Sequence, residues 1–127
     1  MVDTYPYLVM TKEAVIDTNL FKSVKIGLEK GADKAINCPF ARVILEDIEY
    51  KGVVSSLVVQ VLIAYDTKND LEKLYSEFLT SSNKVINSLF KMPCKVELLS
   101  TITDEDRLAN LKAGIVRFKI AGLIDRQ

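Results

Sequence analysis

The segment Leu57–Tyr65 reads Leu-Val-Val-Gln-Val-Leu-Ile-Ala-Tyr and is apolar on both of its alternating sides. A β-strand projects successive side chains to opposite faces, so a strand with one wet face alternates apolar with polar. Here Leu57, Val59, Val61, Ile63 and Tyr65 fall on one side. Val58, Leu62 and Ala64 fall on the other, and only Gln60 interrupts. Any fold of this chain must therefore cover a sheet on both sides of this strand. Each fully buried aliphatic side chain is worth about 1.5–3 kcal/mol, so leaving the smaller set wet forfeits several kcal/mol. It also leaves an apolar patch that favours association. Two covers are open at this point: the N-terminal segment of the same chain, or another subunit.

The rest of the chain supplies the partners of this strand. "MVDTYPYLVM" reads as a short strand or an anchored arm over residues 1–10. Ile16, Leu20, Val24 and Leu28 recur every four residues with Phe21 beside them, which predicts a helix. Lys30 and Gly31 suit its end, and Thr11 or Thr18 its start. "NCPF" breaks the chain, because Pro39 forces Cys38 to be extended. "FARVILEDIEY" then predicts a strand, and Gly52 a turn into the two-sided strand. Two strands so joined pair antiparallel. Leu71, Leu74, Phe78, Val85, Ile86 and Leu89 define the inner face of a second helix, with Tyr75, Leu79 and Phe90 at its margins. Asn69 suits its N-cap, with Glu72 three residues on, and Met92-Pro93 ends it. Ser81, Ser82 and Asn83 lie mid-helix, where their weak helix propensity suggests a bend.

"CKVELLSTIT" predicts a third strand with Val96, Leu98, Ser100 and Ile102 on one face. "DEDRLANLKAG" reads as a polar loop. "IVRFKIAGLI" predicts a last strand with Val116, Phe118 and Ile120 inward and Arg117 and Lys119 outward. The expected architecture is one α+β domain over residues 1–127. It is an antiparallel sheet of four or slightly more strands, with two helices on one face, in the order α-β-β-α-β-β.

Composition excludes several classes of function. Lys plus Arg equals Asp plus Glu, 17 each, and the bases are interspersed with acids. No basic stripe for nucleic acid or an anionic membrane is present. The longest apolar run is too short to span a bilayer, and no charged region precedes a long apolar one as in a signal peptide. There is no histidine, so a His-assisted nucleophile and a His-ligated metal are both excluded. Cys38 and Cys94 lack metal-site spacing and read as reduced, semi-buried thiols. The five glycines are too scattered for a phosphate or dinucleotide loop. Two acidic groups, Glu46/Asp47/Glu49 and Asp104/Glu105/Asp106, are the only candidates for carboxylate chemistry. In the first, strand alternation sends Glu46 and Asp47 to opposite faces and lets Asp47 and Glu49 share one. Solvated charges or salt bridges account for both groups more simply. The expectation is a non-enzyme with no catalytic, metal or cofactor residues.

Three short strings in this order resemble the phage tail-completion and tail-terminator proteins. They are "CPFARVILEDIE", the apolar strand ending in "YDTKND", and the closing "GIVRFKIAGLI", with the amphipathic helix and a strand pair between. The likeness runs over residues 36–124, and the N-terminal segment lies outside it. It implies a structural virion or prophage protein without enzymatic activity, assembled in the bacterial cytoplasm. Members of that family form a ring, often hexameric, that stops growth of the tail tube and joins it to the head. The implied partners are copies of the same chain, the tube protein and a head-joining protein. On this reading partners meet the second sheet face, through Val58 and Leu62 beside Arg117 and Lys119, or the sheet edges. Asp104, Glu105, Asp106 and Arg107 make a polar contact at the neighbour or the tube end. A competing expectation is a small-molecule-binding or regulatory α+β domain that dimerises through its sheet.

Overall fold

The computed structural model describes residues 3–28, 38–66, 71–108 and 111–124, and the side chains within them except those of 71, 104–108 and 111–112. The elements run α1 (Tyr5–Ile16), β1 (Ser23–Ile26), β2 (Phe40–Lys51), β3 (Val54–Asp66), α2 (Leu71–Leu89), β4 (Lys95–Leu108) and β5 (Leu111–Ile124). The strands form one five-stranded sheet in the order β1-β2-β3-β5-β4. The α+β class stands, but the sheet is mixed. β1 runs parallel to β2, and every other neighbouring pair is antiparallel.

The N-terminal third corrects the expected layout. Residues 5–10 are the first turns of α1, not a strand or an arm. Pro6 sits in its first turn, where a missing N–H costs nothing. Buried Thr11 is tolerated because its hydroxyl donates to the Tyr7 carbonyl at 2.7 Å. The helix ends at Ile16, and the turn after it reaches Asn19, whose φ of 57° lies in the left-handed region that asparagine enters more readily than most residues. The four-residue spacing of Ile16, Leu20, Val24 and Leu28 is therefore not one helical stripe. Ser23–Ile26 is a strand, paired Ser23↔Phe40 through Ile26↔Val43. Phe21, Val24 and Ile26 still pack on the main core, but from a turn and a strand. Lys30 and Gly31, expected to end that helix, lie outside the described residues, as does the Asn69 cap of α2.

α2 follows the expected face. Leu74, Phe78, Val85 and Leu89 are buried, while Tyr75, Leu79 and Phe90 are exposed. Ser81 and Ser82 lie within an unbroken helix because both hydroxyls are used: Ser81 bonds the Tyr65 hydroxyl, and Ser82 donates to the Leu79 carbonyl at 3.0 Å. Ser88 donates to the Ala14 carbonyl at 2.6 Å and ties α2 to α1. Both helices contribute to one cluster, in which Leu8, Ala14, Val15, Phe78, Val85 and Leu89 meet Ala41, Val43, Val59, Val61, Val116 and Phe118. The N-terminal segment thus covers the same sheet face as α2.

The opposite face carries a smaller core of its own. Cys38, Phe40, Leu62, Ala64, Ala113 and Ile115 form a second buried cluster with Ile44 against it. The two-sided strand β3 is central, and its faces divide as its alternation implies. Leu57, Val59, Val61 and Ile63 join the main core, while Leu62 and Ala64 join the second. Arg42 is 2% exposed at the rim of the second cluster. Its guanidinium lies 4.5 Å from the Phe40 ring centroid. It donates to the carbonyl of Ala41 at 2.7 Å and to the carbonyl and hydroxyl of Ser23 at 3.3 and 3.2 Å. It thereby locks the short β1 to β2.

Candidate functional site

Two surfaces stand out: the polar half of the second sheet face, and the outer edge of β4. The polar half starts where the second cluster ends. β2 carries a bulge between Leu45 and Asp47. A bulge inserts an extra residue, so the residues after it change face, and Asp47 and Glu49 come onto the face that Ile44 and Glu46 already share. From that face Glu46 reaches across β3 to β5 and accepts from Arg117 through both oxygens, at 2.7 and 2.5 Å. Gln60 of β3, lying between them, donates to the same carboxylate at 2.7 Å. One step along the sheet, Lys119 meets Glu49 at 2.8 Å, again across β3. Strict alternation put Glu46 on the face opposite Asp47; the bulge instead brings Glu46 and Glu49 into the same ionic layer.

These pairs answer part of the covering problem. Val58 stands in register between Asp47 and Lys119 and is only 3% exposed, because long charged side chains bridge above β3. The Arg117 and Gln60 hydrogen bonds hold the Glu46 carboxyl down to about 2, well below the usual carboxylate range. Lys119 is held above its usual range by its bond to Glu49. A carboxylate fixed this firmly in its charged form is a poor general acid.

The expected contact residues distribute unevenly. Val58 and Leu62 are both buried in the single chain, so a partner on this face meets Arg117 and Lys119 and not them. Asp104 lies in β4, and the β4–β5 ladder continues to Leu108↔Leu111. The expected polar loop after residue 103 is therefore the far end of a long hairpin. Described backbone includes Asp104, Glu105, Asp106 and Arg107 as strand; their side chains lie outside the described set.

The edge of β4 is where the sequence named no residue: a sheet edge was open as a contact, but not through Leu98, Leu99 and Ile102. β4 has β5 on one side and, among the described residues, no strand on the other. Val96 and Leu98 stand opposite Ile120 and Phe118, on the helix-covered side. A bulge between Leu98 and Ser100 then moves Ser100 and Ile102 to the other side, opposite Arg117 and Ile115. The expected single face of Val96, Leu98, Ser100 and Ile102 is corrected by that bulge. Leu98, Leu99 and Ile102 are left 44%, 40% and 45% exposed along a rim whose backbone is open to a further strand. The available signal was Leu98-Leu99, two adjacent large apolar residues that one strand face cannot both bury.

Two clefts among the described residues are lined by groups that bear on chemistry. One, of about 520 Å³, is lined by Cys38, Tyr65, Asp66, Glu77 and Ser81 among others. Burial, then the Asp66 charge, pushes the Cys38 thiol up to about 11, so it stays protonated at neutral pH and is no nucleophile. Burial also raises Tyr65. The other cleft, of about 540 Å³, lies between the C-terminal ends of α1 and α2, with Asp17, Lys84, Asn87 and Lys91 at its walls. Among the described residues no group of histidine, cysteine or carboxylate side chains is placed to hold a metal ion, and no helix is long and apolar enough to cross a membrane. No protein-family model matches the chain, and no curated protein matches it.

Proposed function

We propose that this chain is a structural subunit of a phage or prophage tail, resembling a tail terminator, that assembles with copies of itself into a ring capping the tail tube. The observation that carries this reading is the outer edge of β4, fourteen residues long and exposing Leu98, Leu99 and Ile102. A long open edge with apolar residues on it is a site for another chain, because it aggregates if left bare. The short β1 and the long β4 at the two ends of the sheet are unlike, as a head-to-tail ring contact requires. The charged layer of Glu46, Arg117, Glu49 and Lys119 offers a second, polar contact for the tube protein or the head-joining protein. The chemistry supports a non-catalytic role, since Glu46 is locked ionised and Cys38 locked protonated. On this reading the protein is assembled in the bacterial cytoplasm and resides in the virion.

Electron microscopy of the purified chain, alone and mixed with tail tubes, tests this. Annular particles, or density closing the end of the tubes, is the expected result. Tubes that stay open at both ends and a chain that never forms a ring would overturn it. The cleft beside Cys38 and Tyr65 favours a second reading, a small-molecule-binding dimer. A stoichiometric small molecule released on denaturing the purified chain would select that reading instead.

A further inference from the structure

The cleft between the C-terminal ends of α1 and α2 is built from two stripes of identical spacing. Met10, Glu13, Ala14 and Asp17 line it from α1, and Lys84, Asn87, Ser88 and Lys91 from α2. Residues spaced i, i+3, i+4 and i+7 lie on one side of a helix, so each stripe is a continuous wall. The helices touch where the side chains are small, and there Ser88 donates to the Ala14 carbonyl at 2.6 Å. The longer side chains flanking that contact border a volume of about 540 Å³. Small-molecule sites commonly occupy about 300–1,000 Å³.

The two walls carry opposite charge. Glu13 and Asp17 stand on α1, Lys84 and Lys91 on α2, and all four are exposed. Among the described residues, no ion pair includes any of the four. The acids are also misplaced for the stability of their own helix. Glu13 lies in the last turn of α1 and Asp17 is its C-cap, with no basic residue in that turn. A helix C-terminus is its negative pole, where carboxylates are unfavourable and cations are favoured. Two carboxylates at a negative pole, held without a partner, suit a cation from outside the chain. The ammonium groups of the facing wall suit an anion. Met10 and buried Met92 add apolar surface to the same cleft.

We propose that this cleft binds a zwitterion of the amino-acid class, a free apolar amino acid or a short apolar peptide. The ligand's ammonium meets Glu13 and Asp17, its carboxylate meets Lys84 and Lys91, and its side chain rests on Met10 and Met92. The site is separate from the cleft beside Cys38 and from the open edge of β4, and it stands whether or not the tail reading does.

Isothermal titration calorimetry of the full chain, with leucine and leucyl-leucine as probes, tests the site. One molecule is expected to bind per chain. Acetylating the amine of leucyl-leucine, or amidating its carboxylate, should each weaken binding about tenfold or more, the scale of a lost charged hydrogen bond. Glu13→Gln combined with Asp17→Asn should lose the same factor for leucyl-leucine and nothing further for the acetylated probe. Lys84→Gln combined with Lys91→Gln should do likewise with the amidated probe. Leucine binding as tightly as leucyl-leucine would assign the site to free amino acids, and tighter leucyl-leucine to peptides; both support the proposal. No binding of either probe at millimolar concentration, affinity indifferent to acetylation and amidation, or double variants that bind like the wild type would each overturn it. The acid double variant also relieves the negative pole of α1, so its thermal midpoint should hold or rise. A lower midpoint would show that the four charges already pair across the gap, and would overturn the site as well.

Discussion

Single residues decide the fit of the layers. Gly114 of β5 lies directly beneath the Phe78 ring of α2; a β-carbon there would sit 2.0 Å from Phe78 Cε2. Gly114→Ala should therefore force the ring or the helix outward. It should lower stability by about 1–3 kcal/mol, the usual cost of overpacking, as measured by urea unfolding. Neither the glycine nor its partner announced this contact in the sequence. Glu46 is a different case. Its carboxyl is held at about 2 in the fold by Arg117 and then Gln60, against an ordinary value of about 4.3 in the unfolded chain. A group whose folded value is depressed contributes stability above its unfolded value and loses it as pH falls towards the folded one. The thermal midpoint of the wild type should therefore exceed that of Glu46→Gln at neutral pH. The gap should close as the pH is lowered from about 4.3 towards 2, the window set by that shift. A gap independent of pH would show that the bridge contributes nothing.

At the scale of elements, legibility followed the uniqueness of the pattern. The two-sided strand β3, the amphipathic α2 and the inward Val116, Phe118 and Ile120 of β5 were readable because each is a long pattern with one period. Val61 and Phe118 are both fully buried in the main core. Val61→Asp or Phe118→Asp should abolish the cooperative unfolding transition, because each buries an unpaired charge. An intact transition would mean that these strands are misplaced. The N-terminal third was not readable in the same way. A spacing of four recurs by chance across a helix end, a turn and a four-residue strand, and β1 is too short to show its own period. Bulges are the second source of error. They shifted Asp47 and Glu49 in β2 and Ser100 and Ile102 in β4 to faces that strict alternation does not give. No local residue pattern marks either one, since both arise from fitting a twisted strand against its neighbour. Arg42, a charge buried at the β1–β2 junction, was invisible for a related reason: what stabilises it is the tertiary position of Ser23 and Phe40.

For the whole molecule, the covering problem posed by β3 has a largely internal solution. Helices α1 and α2 cover one face, a second apolar cluster closes one end of the other, and a layer of ion pairs bridges the rest. The demand for a companion chain therefore moves from the sheet face, where Val58 and Leu62 are already buried, to the sheet edge, where Leu98, Leu99 and Ile102 are not. Reversing the charge of Arg117 should accordingly leave the subunit folded and its self-association intact, while affecting contacts made through the ionic layer. The tail reading depends on β4 having an occupant. Amide hydrogen exchange along residues 95–103, followed at high and low protein concentration, addresses that most directly. The outward-facing N–H groups should be protected when the chain is concentrated and exchange freely on dilution, with β3 and β5 unchanged. Equally fast exchange of those groups at every concentration would show that the edge stands bare, and would contradict the account.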